Sequence, residues 1–306
     1  MRGPRRFRAR VPAERLRRLA RSGACAGFLA LDRMCPSLGA VLAATLLRTP
    51  WCSRPTASER RLLAAARRST IRFSGGRLAV FRWGSGPPIL LVHGWGGHSG
   101  RLGSFVAPLV HAGYTAIAFD APGHGESGGF SGSVWEAVEA LRALHDRLGP
   151  CAALIAHSLG ASAAAIALRS GLPVARAVFI APPADLSTYA ARFARHFAIS
   201  PRMFDEMKRR LADGYGISWE RLRIDTTLPS SPARLLIFHD AGDPRVPFRD
   251  GEAVARAWPG ARLVRTHGLG HSRILRDPLV VSRATNFVTG WRSRPNAAWL
   301  PAAAAS

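Results

Sequence analysis

Short apolar segments alternate along most of the chain with longer segments of helical length. The apolar segments have the length of buried strands, and each runs into turn-forming residues; they are Pro88–His93, Tyr114–Asp120, Cys151–His157, Arg176–Ile180, Arg234–His239 and Arg262–Thr266. The segments of helical length are Leu102–Ala112, Val134–Leu148, Leu159–Ser170, Gly251–Trp258 and Pro278–Trp291. Because strands joined through helices run parallel, this pattern predicts an α/β fold with a mostly parallel sheet and helices on both of its faces.

Two departures from this alternation predict how the chain is divided. Thr70–Ser74 and Arg77–Trp83 flank a pair of glycines and predict a β-hairpin. Residues 183–231 lack a strand pattern but contain the polar, aromatic helical stretches Leu186–Phe197 and Pro201–Gly214, which predict a small helical cap inserted after the sixth strand. The expected parts are therefore a partly helical basic arm at 1–69, a core at 70–182 and 232–292, the cap at 183–231 and a flexible tail at 293–306.

Length and composition are typical of a folded chain of enzyme size. The 306 residues are 47% hydrophobic and 20% charged, which excludes a disordered or fibrous protein and allows one or two domains. The apolar stretches Gly23–Leu31 and Met34–Leu47 are shorter than the ~18–20 residues that a membrane-spanning helix needs. We therefore do not expect an integral membrane protein.

The charge is strongly basic and unevenly distributed. The formal net charge is +24, and every basic residue except Lys208 is arginine. Residues 1–72 hold 17 arginines against Glu14, Asp32 and Glu59, which is more than half of the excess. Because no Cys/His finger spacing and no aromatic single-strand-binding motif accompanies these arginines, we expect no specific nucleic-acid partner. Weak contact of the arm with an anionic membrane is a further hypothesis.

The cysteines indicate a reducing compartment. They form neither a C-x-x-C pair nor the spacing of a zinc site, and they are Cys25, Cys35, Cys52 and Cys151. Reduced thiols and a cytoplasmic protein are expected. Nine arginines within residues 1–22 leave an exported or membrane-peripheral protein as the alternative, including a twin-arginine signal at Arg17 and Arg18. We interpret this stretch as a retained helical arm or as the product of a mis-assigned start codon.

Reactive side chains follow several of the predicted strands, where ligands bind in a parallel sheet. Ser158 lies between a predicted strand and a helix within Ala156–Gly160, and the small residues two positions before and after it suit a tight turn that exposes its hydroxyl. An ordinary helix-capping serine is the alternative. Asp243 and His271 each follow a later predicted strand. Serine, carboxylate and histidine in this chain order predict nucleophilic catalysis.

Residues from about 70 to 292 resemble the α/β-hydrolase superfamily in four places. These are the loop His93–Gly97, the segment Asp120–Ser127, the turn at Ser158, and the signatures Asp243–Pro247 and Gly270–His271. The resemblance implies Ser158 as nucleophile, His271 as base and Asp243 as the acid that orients the base. We expect no cofactor and no metal. It also implies an oxyanion hole formed by the backbone amides of Trp95 and Leu159. A serine at the turn differs from the dehalogenase and epoxide-hydrolase branches, which attack with a carboxylate.

Neighbouring residues offer alternatives for these roles. Asp240, three residues before Asp243, is a second candidate for the acid or a residue that caps the turn, and Asp185 is a more distant candidate. His157 adjoins the nucleophile, but strand alternation predicts that it packs on the opposite face. Asp120 is expected to brace a turn rather than to bind a metal.

The cap carries side chains that suit an apolar acyl pocket, namely Phe193, Phe197, Met203 and Phe204. They could equally form the cap's own core. We expect a serine hydrolase that cleaves a carboxylic ester or related acyl bond of a small molecule through an acyl-enzyme. The alternatives are a thioesterase, lactonase, C–C hydrolase or perhydrolase on the same residues, and a non-catalytic binding protein on this fold.

Overall fold

The computed structural model describes residues 13–129, 131–226 and 233–290. These residues contain one sheet of eight strands. The strands are β1 (Arg67–Phe73), β2 (Gly76–Trp83), β3 (Pro88–Val92), β4 (Thr115–Phe119), β5 (Ala153–His157), β6 (Arg176–Ile180), β7 (Arg234–Asp240) and β8 (Arg262–Thr266). Their order across the sheet is β1-β2-β4-β3-β5-β6-β7-β8. The pairs β1–β2 and β2–β4 are antiparallel, and the remaining five pairs are parallel.

Helices separate most of the strands along the chain. They are α1 (Ala13–Met34), α2 (Pro36–Arg48), α3 (Ala57–Ala64), α4 (Val106–His111), α5 (Val134–Leu148), α6 (Leu159–Arg169), α7 (Leu186–His196), α8 (Pro201–Tyr215), α9 (Phe248–Ala257), α10 (Gly270–Arg273) and α11 (Pro278–Thr289). Short 3₁₀ segments cover Ser99–Phe105, Trp219–Leu222 and Ile274–Arg276.

Apolar packing on both faces explains why the central strands are continuous apolar runs. Every residue of β3 and β5 is buried. Successive side chains of β3 point to opposite faces, so that Leu90 joins a cluster with Leu141 of α5, whereas Leu91 joins a cluster with Leu109 of α4. The edge strand β8 is only half-buried and carries arginines, which discourage pairing with another sheet edge.

Local capping signals position the helices against the sheet. The hydroxyl of Ser133 accepts a hydrogen bond from the amide of Glu136, and the Glu136 carboxylate accepts one from the amide of Ser133. This reciprocal capping box starts α5 at Val134, and Gly149 follows its last turn. Helix α11 is also capped at its start, because the Asp277 carboxylate accepts hydrogen bonds from the amides of Leu279 and Val280, which follow Pro278.

The α/β fold and the mostly parallel sheet with helices on both faces are confirmed. Predicted and observed strands agree within two residues, except that β1 begins at Arg67, three residues before the predicted start. Residues 1–12 of the predicted arm, residues 227–231 of the predicted cap, core residue 232, the end of the last predicted helix at Trp291 and the tail 293–306 lie outside the described residues. Among the described residues, no helix is long and apolar enough to cross a membrane.

The described chain divides into two compact units. The sheet unit comprises Arg48–Leu186 and the described residues from Ser218 onward, and the helical unit comprises Ser187–Ile217 together with the N-terminal helices up to Leu47. The cap helices are therefore grouped with most of the predicted basic arm. The physical reason is burial, because Phe28 and Ala40 of α1 and α2 complete an apolar cluster that α7 and α8 share.

Candidate active site

A strained turn presents Ser158 between β5 and α6. Its backbone has φ 52° and ψ −127°, a region that residues other than glycine rarely adopt. The Ser158 amide donates a hydrogen bond to the carbonyl of Ile180 at 2.9 Å, which ties the turn to the end of β6. A tight turn of this kind lifts the hydroxyl out of the strand at the carboxyl edge of the sheet.

Close backbone contacts explain the small residues around this turn. A Cβ atom built on Gly160 would lie 2.4 Å from the carbonyl oxygen of His93 and 2.8 Å from that of Val92. A Cβ atom on Gly94 would lie 2.8 Å from the Cβ atom of Ser158. Glycine at both positions therefore allows the loop after β3 to pass directly beside the serine.

Ser158, His271 and Asp243 form one hydrogen-bonded line. His271 Nε2 lies 3.1 Å from Ser158 Oγ, and His271 Nδ1 lies 2.7 Å from Asp243 Oδ2. With the histidine proton assigned to Nδ1, the ring donates to the carboxylate and accepts from the serine hydroxyl. All three residues are buried. The structure thus brings together the three side chains that the strand ends predicted.

The environment of Asp243 favours its ionised form. Burial acts to raise the pKa of this carboxyl, but the hydrogen bond from His271 and the amides of Val246 and Arg245 outweigh it, so the pKa lies below its usual value. The two amides donate to Oδ1 at 3.0 and 2.8 Å. The carboxylate therefore has a fixed orientation, with Oδ2 directed at the histidine.

The alternative acids have other partners. Asp240 Oδ2 accepts hydrogen bonds from the amide of Leu269 at 2.9 Å and the hydroxyl of Thr266 at 3.0 Å, and Oδ1 accepts one from the amide of Gly242 at 3.0 Å. Asp240 thus holds the loop that leads to α10. Asp185 forms an isolated backbone bridge with Arg223. Of the three candidates, only Asp243 is hydrogen-bonded to the His271 ring.

His157 contacts the backbone of His271. Its Nε2 donates to the carbonyl oxygen of His271 at 2.9 Å, and the two ring centroids are 4.7 Å apart. Burial lowers the pKa of His157 to about 3, so the ring is neutral near pH 7. The burial of His157 agrees with the prediction of a packing histidine. Strand alternation did not predict its contact with His271, which lies 114 positions away along the chain.

The backbone amides of Trp95 and Leu159 lie on the two segments that meet beside Ser158. Leu159 is the first residue of α6, where helical geometry leaves an amide without a carbonyl partner. No hydrogen bond of the Trp95 amide is found among the described residues. The adjacent Gly96 amide, by contrast, donates to Nε2 of His124 at 3.0 Å. The Trp95 side chain is 38% exposed.

Two neutral histidines hold the loop that contains Trp95. His93 Nε2 accepts a hydrogen bond from the amide of Ala121 at 2.9 Å, while its Nδ1 donates to the carbonyl of Gly94. Burial lowers the pKa of His93 to about 4, helped by repulsion from His124 when that ring is protonated, and burial also lowers the pKa of His124. Both rings can therefore accept hydrogen bonds near neutral pH.

An N-terminal residue outside every sequence motif also holds this loop. The amide and the hydroxyl of Ser53 both donate to the carbonyl oxygen of Gly96, at 2.9 and 3.0 Å. Ser53 lies between α2 and α3, and no local pattern of the sequence indicated this contact. The loop after β3 is thus fixed from both sides, by His124 at the Gly96 amide and by Ser53 at the Gly96 carbonyl.

Asp120 braces the following turn rather than facing the serine. Its Oδ1 accepts hydrogen bonds from the amide and hydroxyl of Ser99, both at 2.6 Å, and its Oδ2 accepts one from the amide of Glu126 at 2.8 Å. Within the described residues, no group of three His, Cys, Asp or Glu side chains is arranged to hold a metal ion.

The four candidate pocket residues belong to the helical unit. Met203 is fully buried and Phe197 nearly so, in a cluster that includes Phe28 of α1, while Phe193 and Phe204 pack against that cluster. This placement favours the alternative that these side chains form the unit's own core. A buried helical core and an acyl pocket have the same apolar composition, so the sequence pattern did not distinguish them.

Comparison with known proteins agrees with this architecture. Residues 89–284 match the model of the alpha/beta hydrolase family. Three solved structures share the fold at low identity. A Pyrococcus furiosus esterase is 22% identical, with a TM-score of 0.59, and the match covers 79% of this chain and 99% of that one. The mouse alpha/beta hydrolase domain-containing protein 10 is 21% identical, with a TM-score of 0.57 and coverage of 74% and 99%.

The third structure is a bromoperoxidase from Bacillus anthracis, 16% identical, with a TM-score of 0.54 and coverage of 73% and 100%. At such low identity these likenesses show the fold alone. No curated protein matches the chain.

Proposed function

This chain belongs to the alpha/beta hydrolase family, and we propose that it is a serine hydrolase that cleaves a carboxylic ester or a closely related acyl bond of a small molecule. The family match supports a hydrolase in general. The observation that carries the finer proposal is the buried hydrogen-bonded line from Ser158 through His271 to Asp243. Its order along the chain and its position at the carboxyl edge of the sheet agree with this chemistry.

The geometry supports proton transfer from serine to histidine during attack. A neutral serine hydroxyl is a weak nucleophile until a base removes its proton. His271 Nε2 takes that proton as Ser158 Oγ bonds to the acyl carbon, and the imidazolium then donates it to the departing alcohol. Asp243 keeps the other ring nitrogen protonated before the reaction and stabilises the imidazolium during it. Water completes the cycle by hydrolysing the acyl-enzyme with the same base.

Negative charge develops on the acyl oxygen during attack and needs donors that are already in place. We assign this role to the amides of Trp95 and Leu159. The N-terminus of α6 adds the positive end of a helix dipole, and the bonds from Ser53 and His124 limit movement of the loop that contains Trp95. Loss of one such donor typically lowers kcat on the order of 10²–10³-fold.

The test uses short p-nitrophenyl esters and a serine-reactive phosphonate. The natural protein should hydrolyse p-nitrophenyl acetate or butyrate, and the phosphonate should add its mass to the peptide that contains Ser158. Ser158→Ala should abolish both and leave the unfolding midpoint unchanged, while Ser69→Ala, an exposed serine of β1, serves as the matched control. Turnover retained in Ser158→Ala, or phosphonate labelling at another residue, would refute the proposal.

A further inference from the structure

Helix α2 exposes an apolar stripe. Leu38, Val41 and Leu42 lie at positions i, i+3 and i+4 and are 48%, 40% and 45% exposed. Met34, one turn earlier at the end of α1, is 84% exposed. The opposite side of α2 packs through its alanines into the core of the helical unit. Helix α2 is therefore apolar on both sides, but only the side that carries the alanines is buried in a core.

Exposed large hydrophobic side chains are concentrated in this part of the chain. Among the described residues, eight large hydrophobic side chains are exposed, and five of them lie between Leu29 and Leu42. Single exposed apolar residues are ordinary on soluble proteins, but a contiguous group marks an interaction surface. We call Met34, Leu38, Val41 and Leu42 the apolar stripe.

The sequence that contains this surface is rich in positive charge. Residues 1–47 contain ten arginines against Glu14 and Asp32. The Asp32 carboxylate is engaged, because it accepts a hydrogen bond from the hydroxyl of Ser200 at 2.6 Å. Arg21 and Arg33, on the same helix as Met34, are exposed. An apolar helix face with flanking arginines is typical of segments that lie in the interface of a bilayer.

Net charge decides between the possible occupants. A second copy of the chain carries the same net charge of +24, and repulsion between two such copies opposes self-association at low and moderate ionic strength. An anionic bilayer attracts the same arginines, and its acyl region accepts Leu, Val and Met side chains without specific hydrogen bonds. We propose that the apolar stripe docks on an anionic lipid bilayer, with the flanking arginines at the lipid phosphates. This inference does not depend on the hydrolase assignment.

The test is co-sedimentation of the full-length protein with vesicles. Phosphatidylcholine vesicles with and without phosphatidylglycerol separate the contribution of charge from that of the apolar side chains. Leu38→Asn and Leu42→Asn remove apolar side chains at constant net charge. Leu279→Asn makes the same exchange at an exposed leucine of α11 in the sheet unit, 74% exposed, and is the matched control.

The natural protein and Leu279→Asn should sediment with the anionic vesicles and dissociate at high salt. Each stripe variant should show a partition coefficient about tenfold lower, since about one leucine side chain no longer leaves water. Leu38→Ala should give a smaller decrease in the same direction. Far-ultraviolet circular dichroism checks that the variants remain folded, which is expected because the substituted side chains are exposed.

Three results would overturn the proposal. Unchanged binding of Leu38→Asn and Leu42→Asn would mean that the arginines act without the stripe. Equal binding to vesicles without phosphatidylglycerol would remove the electrostatic argument. A dimer in light scattering that Leu38→Asn dissociates, with no vesicle binding, would assign the stripe to self-association instead.

Discussion

Asp240 accepts a hydrogen bond from the amide of Leu269 at 2.9 Å, two residues before the histidine whose ring bonds to Asp243. Two carboxylates three positions apart, one at the end of β7 and one in the turn after it, therefore act on the same histidine in different ways. Asp243 is bonded to the His271 ring, whereas Asp240 is bonded to the backbone at Leu269, in the loop that positions His271. Their substitutions should have different consequences.

Asp243→Asn should lower kcat by roughly 10³–10⁴-fold, because asparagine no longer stabilises the histidine tautomer that accepts the serine proton.

Asp240→Asn should instead lower the free energy of unfolding by about 1–3 kcal/mol, since it weakens several hydrogen bonds of a buried carboxylate. It should reduce kcat less than tenfold while the protein is folded. Ester hydrolysis and guanidinium unfolding of both variants check this. A larger loss of kcat in Asp240→Asn would reverse the assignment.

Ser53→Ala should reduce kcat a few-fold and leave KM nearly unchanged. The substitution removes the hydroxyl bond to the Gly96 carbonyl but keeps the amide bond, so the loop that contains Trp95 loses one of its restraints. A single hydrogen bond of this kind contributes about 0.5–1.5 kcal/mol, which corresponds to roughly 2–10-fold in rate. Steady-state kinetics with Ser69→Ala as control measure the effect. A change confined to KM would place Ser53 in substrate binding instead.

Stability should fall as the pH drops below about 6.5, the ordinary pKa of histidine. Burial lowers the pKa values of His93 and His157 to about 4 and about 3. Between these values and about pH 6.5, the two histidines are protonated in the unfolded chain but not in the folded chain. Each such histidine lowers the free energy of unfolding by about 1.4 kcal/mol per pH unit until its folded pKa is reached. The lowered pKa of Asp243 adds a loss of the same sign, which begins below the usual pKa of an aspartate.

Guanidinium unfolding between about pH 7 and pH 4.5 measures this slope. His157→Gln keeps a donor for the His271 carbonyl but cannot be protonated, so its slope should be smaller by about 1.4 kcal/mol per pH unit. An identical slope in the natural protein and His157→Gln would show that this histidine does not titrate as its burial implies.

Gly160→Ala should destabilise the protein by at least about 1–3 kcal/mol, because the new methyl group would meet the carbonyl oxygen of His93, a backbone atom that cannot move aside cheaply. Gly214→Ala in α8 is the opposite case. Outside the backbone of its own helix, no atom lies within 4 Å of the position that the new methyl group would take, so the change should stabilise by about 0.5–1 kcal/mol through helix propensity. Thermal and chemical unfolding test both, and a neutral Gly160→Ala would contradict the crowding argument.

The sequence pattern predicted most of the sheet and three of the side chains that meet at its edge. Alternation of apolar runs with helical segments is a local property, and a parallel sheet brings the residues after its strands to one edge. Ser158, His271 and a carboxylate at Asp240 or Asp243 were therefore predicted without coordinates, together with the chain order that differs from other serine-based arrangements. The choice between Asp240 and Asp243 stayed open because both follow the same strand.

Local sequence patterns do not predict contacts between segments that are far apart along the chain. The bond from Ser53 to Gly96, the bond from His157 to the carbonyl of His271, and the packing of α1 and α2 with α7 and α8 each join residues far apart along the chain. The same apolar composition that suggested an acyl pocket at Met203 also suits a helical core, and the observed packing favours the core.

On its own, the sequence determined the fold class, the strand ends and the reactive side chains available there. The spacing of apolar residues and the residues that form turns are both encoded within a few neighbouring positions. Tertiary structure alone decided which carboxylate reaches the histidine, which backbone groups hold the loops in place, and which apolar side chains stay exposed. These outcomes depend on distances of a few ångströms between segments that meet only after the chain has folded.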